Sequence, residues 1–138
     1  MNTAHIKNDP RYTPVIMAIE GRIVGADRQA KAEGISLTDS QVRSVLNRVR
    51  KSAAVPDLNA GSRRDQILAA LQGDLDYFGS HLSFEDEEGE RFPISAQEWH
   101  LCLRTIEDSI RVRSSGPGSR DYLEFITDFI ARAQAKTS

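Results

Sequence analysis

Residues 95–110 read SAQEWHLCLRTIEDSI and carry the clearest helix signal in the chain. Ser95 and Glu98 have the spacing of a capping box, in which each side chain accepts a hydrogen bond from the backbone amide of the other residue. Apolar residues then recur every three or four positions, which places them on one side of a helix. They are Trp99, Leu103, Ile106 and Ile110. We therefore predict an amphipathic helix over about residues 95–113 that packs against a core.

Four further segments show the same pattern, and together they predict an all-α fold, a single-domain bundle of about five helices. Thr38 and Gln41 form a second capping box, and Gly34 is a natural left-handed end for the helix before it. The predicted helices span residues 13–33, 38–53, 62–81, 95–113 and 119–135. Residues 1–12 lack any periodicity and are expected to form a flexible N-terminal arm of the single domain, which spans residues 1–138.

The first and last predicted helices carry the most informative apolar faces. The first has a seam of apolar residues at spacings of three and four: Ile16, Ile19, Ile23, Ala26 and Ala30. This seam suits close helix–helix contact, either within the chain or between the two copies of a homodimer. The last helix has the broadest apolar face in the sequence: Tyr122, Phe125, Ile126, Phe129, Ile130 and Ala133. Both faces are expected to pack against other helices.

Residues 82–94 do not follow the helical pattern. Apolar residues fall at positions 82, 84, 92 and 94, on either side of an acidic turn that contains Gly89. Such alternation predicts a short β-hairpin, with an irregular acidic loop as the alternative. The acidic side chains are Glu85, Asp86, Glu87, Glu88 and Glu90. They predict either a solvated loop tip or a surface that binds a basic partner, including a basic surface of another copy.

Composition narrows the functional classes. The chain has 138 residues, a net charge of −2 and a single cysteine, so one folded domain without an internal disulfide is expected. No segment approaches the roughly 20 apolar residues that cross a bilayer, and no apolar stretch near the start resembles a signal peptide. We therefore expect a cytoplasmic protein that does not associate with membranes.

Metal and catalytic motifs are not apparent in the sequence. With three histidines, one cysteine and no Glu-x-x-His motif, we expect no metal and no cofactor. Cys102 lies on or beside the apolar stripe of its helix, where a cysteine is usually inert. We identify no catalytic residue, and an enzyme would need a site assembled from residues distant in the sequence.

The second predicted helix carries a basic face opposite its valines. Five polar residues make up this face: Arg43, Asn47, Arg48, Arg50 and Lys51. No acidic residue occurs over 41–52, and the helix follows its predecessor across a short turn, as a recognition helix does in helix-turn-helix proteins. Arginine and asparagine can reach phosphates and base edges, so this face predicts contact with nucleic acid or another anion.

A second possible anion site surrounds the start of the last helix. Its residues are Arg111, Arg113, Ser119 and Arg120. Free backbone amides and the helix dipole attract anions at such a position. The segment lacks the Gly-Lys-Ser/Thr ending of a P-loop, so ATP or GTP is not implied. The simpler interpretation is a turn between two helices, with Ser119 as the cap of the second.

These patterns favour a non-enzymatic interaction or regulatory module that binds protein through a helical face, by association either with another protein or with itself. The alternative is a helix-turn-helix-like protein that binds nucleic acid through the basic helix over residues 38–53. No pattern in the sequence specifies the biological role.

Overall fold

A computed structural model describes residues 9–114 and 121–137 of the chain. These residues form five α-helices and one antiparallel hairpin, which confirms the predicted all-α bundle and its short β-hairpin. The elements are α1 (Thr13–Ala32), α2 (Asp39–Arg50), α3 (Arg63–His81), β1 (Ser83–Glu85), β2 (Arg91–Pro93), α4 (Ala96–Ser114) and α5 (Asp121–Thr137).

The predicted capping boxes start two of these helices. The Thr38 amide donates to Gln41 Oε1 at 2.9 Å, and the Gln41 amide donates to Thr38 Oγ1 at 3.2 Å. The Ser95 amide donates to Glu98 Oε1 at 2.8 Å, and the Glu98 amide returns a bond of 3.0 Å to Ser95 Oγ. Each box satisfies backbone amides that a helix N-terminus leaves without an internal partner.

Helix α2 ends three residues earlier than the predicted 53. Ser52 adopts a left-handed conformation with a φ of +55°. Its amide donates to the Val49 carbonyl at 3.0 Å, and the Ala53 amide donates to the Arg48 carbonyl at 2.9 Å. This pair of bonds is a Schellman motif, which closes a helix end. The Gln72 side-chain amide then binds the Ala53 carbonyl at 3.0 Å, so a contact from α3 helps to fix where α2 stops.

The hairpin directly precedes α4 and packs on its first turn. Phe84 pairs with Phe92 across the two strands, and Gly89 turns the chain with a φ of +82°. Asp86 Oδ1 accepts the amides of Glu88 and Glu90, both at 2.9 Å, which closes the acidic turn. The ring of Phe84 stacks on Trp99 with the centroids 6.0 Å apart. The hairpin is therefore part of the core, although its turn is exposed.

The core lies among the five helices. Helix α1 contacts α3, α4 and α5, whereas α2 packs against α3 and α4. The seam of α1 is used inside the chain, because Ile19, Ile23 and Ala30 are completely buried. Of the two arrangements that the seam predicted, contact within the chain is the one observed. No helix among the described residues is long and apolar enough to cross a membrane.

Residues 9–12 have a defined structure, which differs from the flexible arm predicted over residues 1–12. Pro10–Tyr12 form a 3-10 turn, and the side chain of Asp9 caps it by accepting the Arg11 amide at 3.0 Å. The reason is tertiary: the ring of Tyr12 is buried, and its hydroxyl donates to the Glu98 carboxylate at the start of α4. Residues 1–8 of the predicted arm lie outside the described residues.

Candidate functional site

An apolar groove of about 320 Å3 lies between α1, α4 and α5. Its apolar walls consist of Ile16, Met17, Ile106, Tyr122, Phe125 and Phe129. The polar lining residues are Thr13, Glu20, Thr105 and Ser109. Helix periodicity explains why α5 supplies three of the walls: Tyr122, Phe125 and Phe129 are three and four positions apart and so share one side of the helix.

Phe125 and Phe129 form the outer edge of the groove. Their rings stack with the centroids 6.3 Å apart and an interplanar angle of 19°. They are 46% and 45% exposed, whereas Tyr122, Ile126 and Ile130 on the same helix are buried. The predicted apolar face of α5 is therefore only partly covered, because the bundle packs over one side of it. Ala133 is the sixth residue of that face, and its side chain is not among those that the structure describes.

The polar side chains beside the groove are held by hydrogen bonds within the protein. The Tyr122 hydroxyl donates to Glu20 Oε2 at 3.2 Å. The hydroxyls of Thr105 and Ser109 donate to carbonyls one turn earlier in α4, at 2.7 and 3.0 Å. These bonds direct the protons of Thr105 and Ser109 to backbone oxygens and that of Tyr122 to Glu20, so more of the groove surface is apolar than polar. Such a surface suits the apolar side chains of a ligand.

The basic residues of α2 do not form one outward surface. Arg50 turns towards α4, where its Nε and Nη2 lie 2.8 and 3.3 Å from the two carboxylate oxygens of Glu107. Its Nη2 also donates to Asn47 Oδ1 at 2.9 Å. The hydrogen bond with Glu107, which is itself buried, raises the pKa of Arg50 above its usual value. Arg50 thus joins α2 to α4, and Asn47 supports its guanidinium from within α2.

Arg48 points in the opposite direction, towards α3. Its Nε donates to Gln72 Oε1 at 3.0 Å, and its Nη2 donates to the Ala54 carbonyl at 3.1 Å. Arg43 and Lys51 make no hydrogen bond or ion pair with any other described residue, and Lys51 is exposed. The structure therefore spreads the five residues over several sides of α2. Nucleic-acid binding by this helix stays a prediction.

The predicted anion site at the start of α5 contains an anion from the chain itself. Asp39 is buried, and its two carboxylate oxygens accept the backbone amides of Tyr122 and Leu123, both at 3.4 Å. Of the predicted residues, Arg111 is exposed and pairs with Asp108 at 3.3 Å. The side chain of Arg113, and all of Ser119 and Arg120, lie outside the described residues. The sequence analysis missed Asp39, whose only local signal is its place in the first turn of α2.

The acidic turn is partly used by the hairpin itself. Arg91 Nη1 lies 3.3 Å from Glu85 Oε1 across the two strands, and Asp86 binds the amides of the turn. The other three acidic residues, Glu87, Glu88 and Glu90, are exposed. The predicted role of this surface in binding a basic partner stays a prediction.

Cys102 and the metal-binding residue types offer no alternative site. Cys102 is completely buried, and burial raises the pKa of its thiol to about 12, far above the range in which a thiolate nucleophile forms. Within residues 9–114 and 121–137, no three side chains of the His, Cys, Asp or Glu type are grouped to hold a metal ion. The groove is accordingly the candidate functional site.

Comparisons of the chain with models of protein families, with curated proteins and with solved structures found no match.

Proposed function

We propose that the chain is a non-enzymatic protein-binding module, and that its groove between α1, α4 and α5 receives an apolar helix of another protein. The observation that carries this proposal is the stacked pair Phe125 and Phe129, each nearly half exposed beside the groove. Apolar surface gains about 25 cal/mol per Å2 when it is removed from water. A partner that covers both rings is therefore stabilised without any charged contact.

The size of the surface favours a single helix as the occupant over a second folded copy. A phenylalanine side chain buries about 200 Å2, so two half-exposed rings offer about 200 Å2 in total. Stable interfaces between folded proteins bury about 800 Å2 on each partner. A groove of about 320 Å3 instead fits the one or two large side chains that an amphipathic helix projects at positions i and i+4.

The test is comparative affinity capture from the native lysate. Phe125→Lys and Phe129→Lys each place a charge where the partner would bury a ring, while the lysine stem still covers neighbouring apolar surface. Tyr77→Lys is the matched control, because Tyr77 is an aromatic residue of α3 that is 61% exposed and lies outside the groove. Circular dichroism and urea unfolding establish that every variant is folded.

We expect that the wild type and Tyr77→Lys capture the same partner protein and that neither phenylalanine variant captures it. Nuclease treatment of the lysate should not change this result. A peptide with the sequence of its binding helix should then bind at least about thirtyfold more weakly to Phe129→Lys, as is typical when an aromatic residue that contributes strongly to an interface is replaced. Identical partners for all four proteins would contradict the proposal. A partner that disappears only after nuclease treatment would instead favour the alternative function, nucleic-acid binding through α2.

A further inference from the structure

A second cleft, of about 350 Å3, lies between α2 and α4 and is separate from the groove. It is lined by Arg50, Gln97, His100, Leu101 and Arg104. Four of these five side chains carry N–H donors, and no carboxylate is among the lining residues. Gln97, His100 and Arg104 are exposed. The cleft therefore presents hydrogen-bond donors and positive charge to solvent.

The sequence brings three of these donors together through helix periodicity. Gln97, His100 and Arg104 are three and four positions apart, so they form one row along α4. Arg50 reaches the same cleft from the end of α2. The pattern of α2 alone could not show this arrangement, because His100 and Arg104 lie far from Arg50 in the sequence.

Arg50 is held in place before any ligand arrives. Its Nε and Nη2 bind the Glu107 carboxylate, and its Nη2 also binds Asn47 Oδ1. These bonds leave Nη1, which has no hydrogen bond to any residue in the part of the chain that the structure describes. A guanidinium fixed on one edge loses little side-chain entropy when it binds an anion through the other.

His100 and Arg104 of the cleft have no partner among the residues that the structure describes. Neither His100 nor Arg104 makes a hydrogen bond or ion pair with another residue of 9–114 or 121–137. Arg63, in contrast, is exposed but paired with Glu33 at 2.7 Å. Donors that converge on one cleft without internal acceptors are typical of a site for an external anion.

We propose that this cleft binds a phosphate group, with Arg104 and Arg50 as its charged ligands and His100 and Gln97 as further donors. Four donor side chains around one space suit the several oxygens of phosphate better than the two oxygens of a carboxylate. Glu107 offsets part of the charge of Arg50 while fixing its position. The phosphate belongs either to a small phosphorylated molecule or to a nucleic-acid backbone, and the two sources are separable by experiment.

The test is a titration of the full chain with inorganic phosphate that is monitored by NMR. Phosphate replaces chloride during the titration, so the ionic strength stays constant. We expect saturable shifts at the amides of His100 and Arg104 and at the Nε–H of Arg50. The variant His100→Gln with Arg104→Gln should bind about tenfold more weakly, because the positive charge of Arg104 is lost and the donor at position 100 is displaced. Both positions are exposed, so the fold should be retained.

Arg28→Gln is the matched control, since Arg28 is an exposed arginine of α1 outside this cleft. Shifts that do not saturate, or an equal loss of affinity in Arg28→Gln, would overturn the proposal in favour of general charge attraction. A second arm uses a twelve-nucleotide single strand as competitor. If it displaces phosphate from the same residues with a steep salt dependence, the phosphate is that of a nucleic acid. If it does not, the source is a small phosphorylated molecule.

Discussion

Asp39 shows how one buried charge can fix the junction of two helices. It lies in the first turn of α2, where the helix dipole favours an acid, and its oxygens also accept two amides at the start of α5. A carboxylate of the chain thus takes the position in which the sequence predicted an external anion. The two helix N-termini are joined through a side chain that is almost completely buried.

We expect Asp39→Ala to lower the free energy of unfolding by about 1–3 kcal/mol, because buried amides of α5 lose their acceptor. Urea unfolding monitored by circular dichroism measures this loss. Asp74→Ala is the control: Asp74 is exposed on α3, and its replacement should change the stability by less than about 0.5 kcal/mol. Equal effects of the two substitutions would show that Asp39 does not act as a cap for α5.

Glu98 should make the stability of the bundle depend on pH. The Tyr12 hydroxyl, followed by the backbone and side chain of Ser95, stabilises its carboxylate and lowers the pKa of Glu98 below its ordinary value of 4.5. Because the folded pKa is depressed, this contribution is complete above the unfolded value. It is lost as the pH falls through the lower folded value.

Urea unfolding measured from neutral pH down to about pH 3 tests this dependence. Glu98→Gln should be less stable than the wild type at neutral pH, and the difference should shrink on acidification. Glu87→Gln alters an exposed acid of the hairpin turn and should leave the pH profile unchanged. A constant difference between Glu98→Gln and the wild type at every pH would argue against the role of the ionised carboxylate.

At the scale of elements, local chemistry explains which boundaries the sequence could predict. The capping boxes at Thr38 and Ser95 and the left-handed Gly34 act within a few residues, so their signals are visible in the sequence itself. The early end of α2 depends on Gln72, which reaches the Ala53 carbonyl from another helix. A contact between two helices leaves no local pattern in the sequence. Helix propensity alone therefore predicted an end of α2 that is too late.

The candidate site was less predictable than the fold for a related reason. Periodicity places Phe125 and Phe129 on the apolar side of α5, but it does not tell how much of that side its neighbours cover. The groove also needs Ile16 and Ile106, which come from two other helices. Similarly, the charge pattern of α2 could not show that Arg50 would meet a carboxylate of α4.

The Arg50–Glu107 pair should contribute measurably to holding α2 against α4. Its side chains are 27% and 10% exposed, compared with 47% and 37% for the surface pair Arg63–Glu33. Double-mutant cycles with alanine should give a coupling of about 1–2 kcal/mol for Arg50–Glu107, which has two hydrogen bonds in a partly desolvated position. The control pair should give a smaller coupling, because solvent screens its charges. Equal couplings would mean that burial does not strengthen the α2–α4 contact.

For the whole molecule, the fold decides which apolar surface remains for partners. The seam of α1, which the sequence left open to contact within or between chains, is closed inside the bundle around Ile19 and Ile23. The other helices cover the broad apolar face of α5 only in part, because Phe125 and Phe129 stay nearly half exposed. Ile19 and Ile23 are therefore not accessible to a second copy, whereas the rings of Phe125 and Phe129 and the acids of the hairpin turn are described surfaces through which self-association could proceed.

We expect the isolated protein to be monomeric at concentrations of about 100 μM, which corresponds to a dimer weaker than about −5.5 kcal/mol. Two copies that met through the phenylalanine pair would bury about 400 Å2 in total, or roughly 10 kcal/mol of apolar transfer free energy. Association itself costs about 4–15 kcal/mol, so over most of this range the remaining stabilisation is smaller than a stable dimer needs. Sedimentation equilibrium measures the mass directly. If a dimer forms and Phe129→Lys abolishes it, a second copy is the occupant of the groove. If only the double variant Glu87→Lys with Glu88→Lys abolishes the dimer, self-association uses the acidic turn.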